Sequence, residues 1–276
     1  MKFHTLKFIL HTSYFILLSL YPLPLRSSAA ELQEIQQRGY ILVAVKGDLR
    51  PLSFRDGNGK LQGLEIDIAR RLAKDLLGNP NAVKFQPVAN RDRLNVVLED
   101  RVDLAIAGVT ATDSRARLVQ FSTPYYYDGT ALVTKAPVQQ LNDIARKKVA
   151  VIQGSSAIPT IKYLLPKVQL VGVNSYQEAH SLLESGGAAA FAADASVLSG
   201  WVQEYPQYQL LPTVLSAEPL SVVMPKGLQY DDLRQRVNAA IARYRSEGWL
   251  HWRAAFWGLP VDRSPTRLTP PKRQDN

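Results

Sequence analysis

Two runs of alternating short apolar segments and amphipathic segments, separated by a single crossing, constrain this 276-residue chain more than any other feature. In the first run, residues 40–45 and 82–88 read as β-branched strands. Between them, residues 65–77 carry Ile68, Leu72 and Leu76 on one helical face and Arg70, Arg71 and Lys74 elsewhere. Glu65 and Asp67 fall in the first turn of that helix, where acids suit the macrodipole, and Gly78 is its stop; both acids read as structural. A helix near 91–99 and a strand at 102–107 continue the alternation. Strand–helix–strand order of this kind closes a mainly parallel sheet with right-handed crossovers.

The second run starts after residues 130–135, with strands expected at 148–152, 169–173 and 188–193 and helices from about 156 and 176. The strand-like segment 220–224 then returns the chain to the first unit, before a long helix at about 230–245. Two crossings imply a two-strand hinge between two α/β lobes. The expected division is residues 31–130 for lobe 1, 131–219 for lobe 2, 220–262 for the return segment and terminal helices, and 263–276 for a basic, proline-containing tail. Residues 1–30 read as a secretory leader: Lys2 and Lys7 precede an apolar run, and a Ser-Ala-Ala site ends at Ala30. Cleavage there would release the protein into the periplasm. With no cysteine, the chain can form no disulfide and carries no thiol for a lipid anchor.

The net charge is +9, of which Lys2, Lys7 and Arg26 precede residue 31, leaving +6 for the remainder. These positives are scattered without aromatic interleaving, and part of the excess sits in the tail, so nucleic acid is not an expected partner. Beyond residue 30 the only histidines are His180 and His251. No metal-ligand spacing, phosphate loop or GxSxG elbow is present, so neither a cofactor nor a metal is expected, and no catalytic residues are assigned.

Ligand loops in such sheets lie at strand C-termini. The segment GVTATDSR at 108–115 follows one strand there, and the loop from Lys46 to Pro51 follows another. Arg115 can present a planar fork to two carboxylate oxygens, while Thr110, Thr112 and backbone N–H groups at Gly108 and beyond can fill the remaining lone pairs. Together with the segment 63–78, PLSF at 51–54, KKVAVIQGS at 147–155, AFAAD at 190–194 and the stretch from Gly248 to Gly258, this loop resembles the periplasmic solute-binding proteins that serve polar-amino-acid ABC transporters. The resemblance spans nearly all of the chain after residue 30. It implies a two-lobed type II binding-protein fold, a monomer, a membrane permease as partner and a free amino acid as ligand.

It also implies that Arg115 takes the ligand carboxylate and Asp194, from the other lobe, the α-ammonium; read alone, Asp194 equally suits a helix N-cap. Ser155 and Ser156 could add hydroxyl and backbone donors ahead of a helix. Leu49 stands where the family usually has an aromatic residue that covers the ligand. Lys46 stands where members that bind basic side chains tend to carry an acid. A cation there favours glutamate, aspartate or glutamine as ligand, although Lys46 could equally be a solvated loop residue. The competing reading is a periplasmic prephenate or arogenate dehydratase on the same fold, with Glu218 or Lys46 as candidates for its acid or base.

Overall fold

The computed structural model describes residues 31–261, except 136, 137, 139, 156, 212 and 213. The expected leader, the tail at 263–276 and the expected role of Ser156 therefore lie outside the described residues.

Two five-stranded sheets organise the chain. In the first, the order is Val83–Pro87, Ile41–Val45, Leu104–Ala105, Val223–Met224, Gln120–Phe121. Its first three strands run parallel, and Val223–Met224 is antiparallel to both of its neighbours. The second sheet repeats the design: Gln169–Val173, Lys148–Ile152 and Ala190–Asp194 run parallel, then Thr130–Thr134 and Gln209–Leu210 follow antiparallel. Between the sheets, Tyr126–Asp128 pairs antiparallel with Glu218–Leu220, setting Asp128 opposite Glu218. This pair of strands is the hinge of a two-lobed type II fold.

Each lobe buries its own apolar faces. Helix Leu64–Leu77 packs Leu64, Ile68 and Leu72 into the first core with Ile41 and Val43, and Gly78 ends it in the left-handed conformation. Beyond it, helix Asp231–Ser246 adds Leu233, Val237 and Ile241 to the same core. In the second lobe, Phe191 and Trp201 share one cluster and Val149 and Ile161 another, on opposite faces of the sheet.

Three expected elements differ in detail. The helix expected at 91–99 is split into a 3-10 turn, Asn90–Asp92, and the short helix Asn95–Leu98. Arg93 lies in the break, and its guanidinium is anchored on the Ala107 and Gly108 carbonyls rather than left on a helix surface. The expected strand at 102–107 is reduced to Leu104–Ala105, flanked by backbone bonds from Asp103 and Ile106 to Leu42 O and Ala44 O, and the buried Asp103 side chain accepts from Leu42 N–H at 2.7 Å. The run at 220–224 is divided between the hinge and the first sheet.

Asp67 shows what a first-turn acid does here besides meeting the helix dipole. Its Oδ2 accepts from Arg253 Nε at 2.6 Å and Trp257 Nε1 at 2.7 Å, tying the helix start to the terminal helix Trp249–Phe256. Hydrogen bonds to a charged group are each worth about 1.5–3 kcal/mol. Asp67→Ala should therefore lower unfolding stability by about 2–4 kcal/mol in urea titration; a loss below about 0.5 kcal/mol would show that the terminal helix is held by packing alone.

Candidate functional site

A cavity of about 670 Å³ lies between the lobes against the hinge, within the range usual for small-molecule sites. Lobe 1 contributes Leu49, Leu52, Asn90, Arg93, Gly108, Thr110 and Arg115; the hinge contributes Asp128, Glu218 and Leu220; lobe 2 contributes Tyr176, Asp194, Ser196 and Val197.

The lobe 1 wall is held by a buried carboxylate. Glu65 is fully buried; its Oε1 accepts from Gly108 N–H at 2.6 Å and from the Tyr125 hydroxyl at 2.5 Å, and its Oε2 accepts from Ser53 Oγ at 2.6 Å. Burial raises its pKa, while these hydrogen bonds and then the charge of Arg93 pull the other way. From the opposite side of the loop, Arg93 Nη1 donates to Ala107 O at 3.0 Å and to Gly108 O at 2.5 Å. Gly108 has φ +62°, and a Cβ on it would lie 2.9 Å from Leu49 Cδ2, so the tight passage of the loop calls for glycine.

Arg115 leaves the turn of helix Asp113–Ala116, which Thr112 caps by accepting Arg115 N–H at 3.4 Å. Its Nη1 donates to Thr110 O at 2.8 Å. The same loop is fastened to the hinge by Ala111 N–H to Pro219 O at 2.8 Å and by a bridge between Thr110 and Leu220. Burial lowers the pKa of Arg93, as does the charge of Arg115, with Glu65 acting in opposition. Two guanidiniums that repel one another on a partly desolvated wall make a strong point for an anion.

Across the cavity the charge reverses. Asp194 takes the N-cap position of helix Ala195–Glu204 by backbone geometry, yet its side chain makes no capping bond. Asp128 does that work from the hinge: Oδ1 accepts from Ser196 N–H at 3.0 Å and Gly129 N–H at 2.9 Å, and Oδ2 accepts from Ser196 Oγ. The Asp194 carboxylate thus lines the cavity instead of the helix end. Burial raises its pKa and Arg93 opposes the rise. Asp128 is pushed up to about 7, mainly by burial and then by the charge of Asp194. Glu218 is raised in the same way, by burial first and by Asp194 next; it shares a 3.3 Å contact with Ser216 Oγ.

Of the residues picked out from sequence, Arg115, Asp194, Thr110, Gly108 and Leu49 come together on the cavity wall. Lys46 does not join them: its buried side chain runs to Val88 O at 3.3 Å and Asp48 at 2.9 Å. Nor does Ser155, whose Oγ accepts Ala157 N–H at 3.1 Å at the start of helix Ala157–Leu164. Sequence reasoning missed Arg93, Asp128, Tyr176 and Ser196, and offered Glu218 only as a candidate acid or base for the dehydratase reading. Tyr176 brings an aromatic ring to the cavity from the other lobe, set edge-on to the Phe191 ring at 6.0 Å. Its hydroxyl is pushed up to about 12 by burial and by Asp194 and stays a hydrogen-bond donor. Among the described residues no group of three or more His, Asp and Glu side chains is placed to hold a metal, and no helix is long and apolar enough to cross a membrane.

Comparisons with known proteins agree with this architecture. Residues 41–259 match the model of the bacterial extracellular solute-binding proteins, family 3. The chain is 28% identical over 221 residues to the ABC transporter glutamine-binding protein GlnH of Bacillus subtilis (strain 168), covering 79% of this chain and 80% of that one. It is 30% identical over 234 residues to the L-cystine-binding protein TcyJ of Escherichia coli (strain K12), covering 82% and 85%. Among solved structures, the ancestral amino-acid-binding protein AncCDT-1, described as a precursor of cyclohexadienyl dehydratase, superposes with a TM-score of 0.65 at 28% identity, covering 83% of this chain and 100% of that one. A family model spanning both sheets and the hinge, with relatives matched over most of their length, makes this chain a member of the bacterial extracellular solute-binding proteins, family 3.

Proposed function

We propose that this protein is the substrate-binding component of an ABC transporter for polar amino acids. The observation that carries the reading is the reversal of charge across one cavity: Arg93 and Arg115 on lobe 1, Asp194 on lobe 2. A free amino acid carries a carboxylate and an ammonium on one carbon and needs such a pair of walls. Its carboxylate pairs with Arg115, backed by Arg93, and takes further bonds around Thr110 and Gly108; its ammonium pairs with Asp194. A ligand held from both lobes favours the closed arrangement, which a membrane permease recognises. The relatives named as binders of glutamine and L-cystine support an amino acid as ligand. The family's extracellular character supports a periplasmic location reached through the leader at residues 1–30.

Within the set glutamate, aspartate and glutamine, the cavity favours glutamine. The cation expected to meet a distal carboxylate, Lys46, is engaged with Asp48 and Val88, and Glu218 lines the cavity instead. A carboxylate there repels an acidic side chain and accepts from an amide N–H₂. The placement of Glu218 also favours the second reading, a dehydratase, since a half-buried carboxyl with a raised pKa suits a general acid. Incubation with prephenate and arogenate separates the two, because only an enzyme consumes them.

Calorimetric titration of the twenty amino acids should give glutamine as the tightest ligand without turnover. Arg115→Ala should weaken it by about 100-fold or more, as expected when one partner of a desolvated charge pair is removed; retained affinity rejects the carboxylate assignment. Asp194→Asn should weaken glutamine by at least tenfold while sparing its analogue without the α-amino group, and an equal effect on both would make Asp194 structural.

Asp128 adds a pH dependence. Its folded-state value of about 7 lies above the unfolded carboxylate value of about 3.9. The stability that comes from holding this proton is present below about pH 4 and is lost as pH rises through about 7. The melting temperature of the unliganded protein should therefore fall between pH 5 and pH 8, and Asp128→Asn should flatten that decline. Parallel curves for the two proteins would assign the decline to other groups.

A further inference from the structure

Beside the main cavity lies a second chamber of about 260 Å³, and Leu49, Tyr176 and Val197 line both. The shared residues make the two spaces adjoining rooms with a common partition. The chamber's outer walls are unlike those of the first. Four rings stand on the lobe 2 side beside Gln177 and Glu204: Tyr176, His180, Trp201 and Tyr205, with His180 tilted against Tyr205 at 4.4 Å and Trp201 at 5.6 Å from it. The facing wall is the segment Asp48–Arg50 of lobe 1, whose first two residues pair with the strand Ser53–Arg55. Its charges are already engaged: Asp48 pairs with Lys46 at 2.9 Å, and the Arg50 guanidinium lies 3.8 Å over the Phe54 ring.

Two chamber side chains also carry ring nitrogens with no hydrogen bond among the described residues: Trp201 Nε1, on a residue 6% exposed, and His180 Nε2, which lies 3.8 Å from the nearest Glu184 oxygen. A cavity of about 150 Å³ is enough to admit benzene, so this one takes a planar ring with room to spare. Aromatic walls of this kind favour flat apolar groups by edge and offset stacking.

We propose that the chamber is a second subsite, and that the protein accepts α-amino acids whose side chain is extended by a flat or aromatic group. This rests on the amino-acid reading of the main cavity and extends it from single amino acids to substituted ones. The amino-acid head stays between Arg115 and Asp194, the side chain passes Leu49 and Val197, and the flat extension lies against Tyr176 and Tyr205.

L-glutamine carrying an aryl group on its amide nitrogen, γ-L-glutamyl-4-nitroanilide, is a direct probe. Titrated against the wild-type protein, it should bind within about threefold of glutamine or more tightly. Tyr205 lines only the chamber, so Tyr205→Ala should weaken the anilide by about fivefold or more, the loss expected for a stacked ring, and leave glutamine within twofold. An anilide more than threefold weaker than glutamine on the wild type, which needs no variant to fold, overturns the second subsite while leaving the amino-acid reading intact. The subsite is equally overturned if Tyr205→Ala shifts both ligands alike or neither. If neither glutamine nor the anilide binds the wild type, the function proposed for the main cavity fails, and the subsite with it.

Discussion

A carboxylate with no exposure to water, Glu65, holds together the wall on which the candidate site is built. Burying such a group is costly unless its lone pairs are filled, and here they are filled by three segments far apart in sequence: Ser53, Gly108 and Tyr125. Each of those segments leads to the cavity. Ser53 follows the loop that carries Leu49 and Leu52, Gly108 opens the loop that carries Thr110 and Arg115, and Tyr125 precedes the hinge strand that ends at Asp128. Removing the carboxylate would leave a buried amide N–H and two hydroxyls without their acceptor. The wall is therefore organised by a residue that does not line the cavity.

The hinge has a comparable economy of parts. Asp128 and Glu218 face each other across two antiparallel strands, and Asp128 also caps the helix that starts lobe 2's side of the cavity. Because Asp128 satisfies the first turn of that helix, Asp194 is released from the capping position it occupies. Charge separation across the cavity follows from this substitution of one aspartate for another. The cost appears in the raised titration of both acids, which crowd a small volume of low dielectric.

What was legible in the sequence followed local rules. The period of residues 65–77, the glycine stop at Gly78 and the alternation of strand with helix anticipate both sheets, because each depends on neighbours within a few positions. Arg115 and Asp194 were visible because Arg115 belongs to the loop segment that follows a strand and Asp194 ends one, each within a recognisable segment. The remaining site residues depend on contacts between distant segments. Glu65 has the pattern of a first-turn helix acid, and its partnership with Gly108 and Tyr125 spans 43 and 60 positions. Arg93 falls within the helix expected at 91–99, and nothing local marks that its guanidinium reaches the Gly108 carbonyl 15 positions away. Lys46 sits at an informative position in the chain, but a long side chain can leave its backbone position, and this one turns toward Asp48 and Val88.

Gly200 stands on the lobe 2 helix where it meets the lobe 1 loop, and a Cβ there would come within 2.6 Å of the Arg50 carbonyl oxygen. Nearby, Gln203 Nε2 of the same helix donates to Trp257 O of the terminal helix at 2.9 Å. These contacts join the lobes outside the main cavity, and at Gly200 the backbones come too close for any side chain on the helix. A single hydrogen atom in place of a methyl group at Gly200 therefore sets how closely the lobe 2 helix can approach the Arg50 backbone, beside the second chamber that Gly200 also lines.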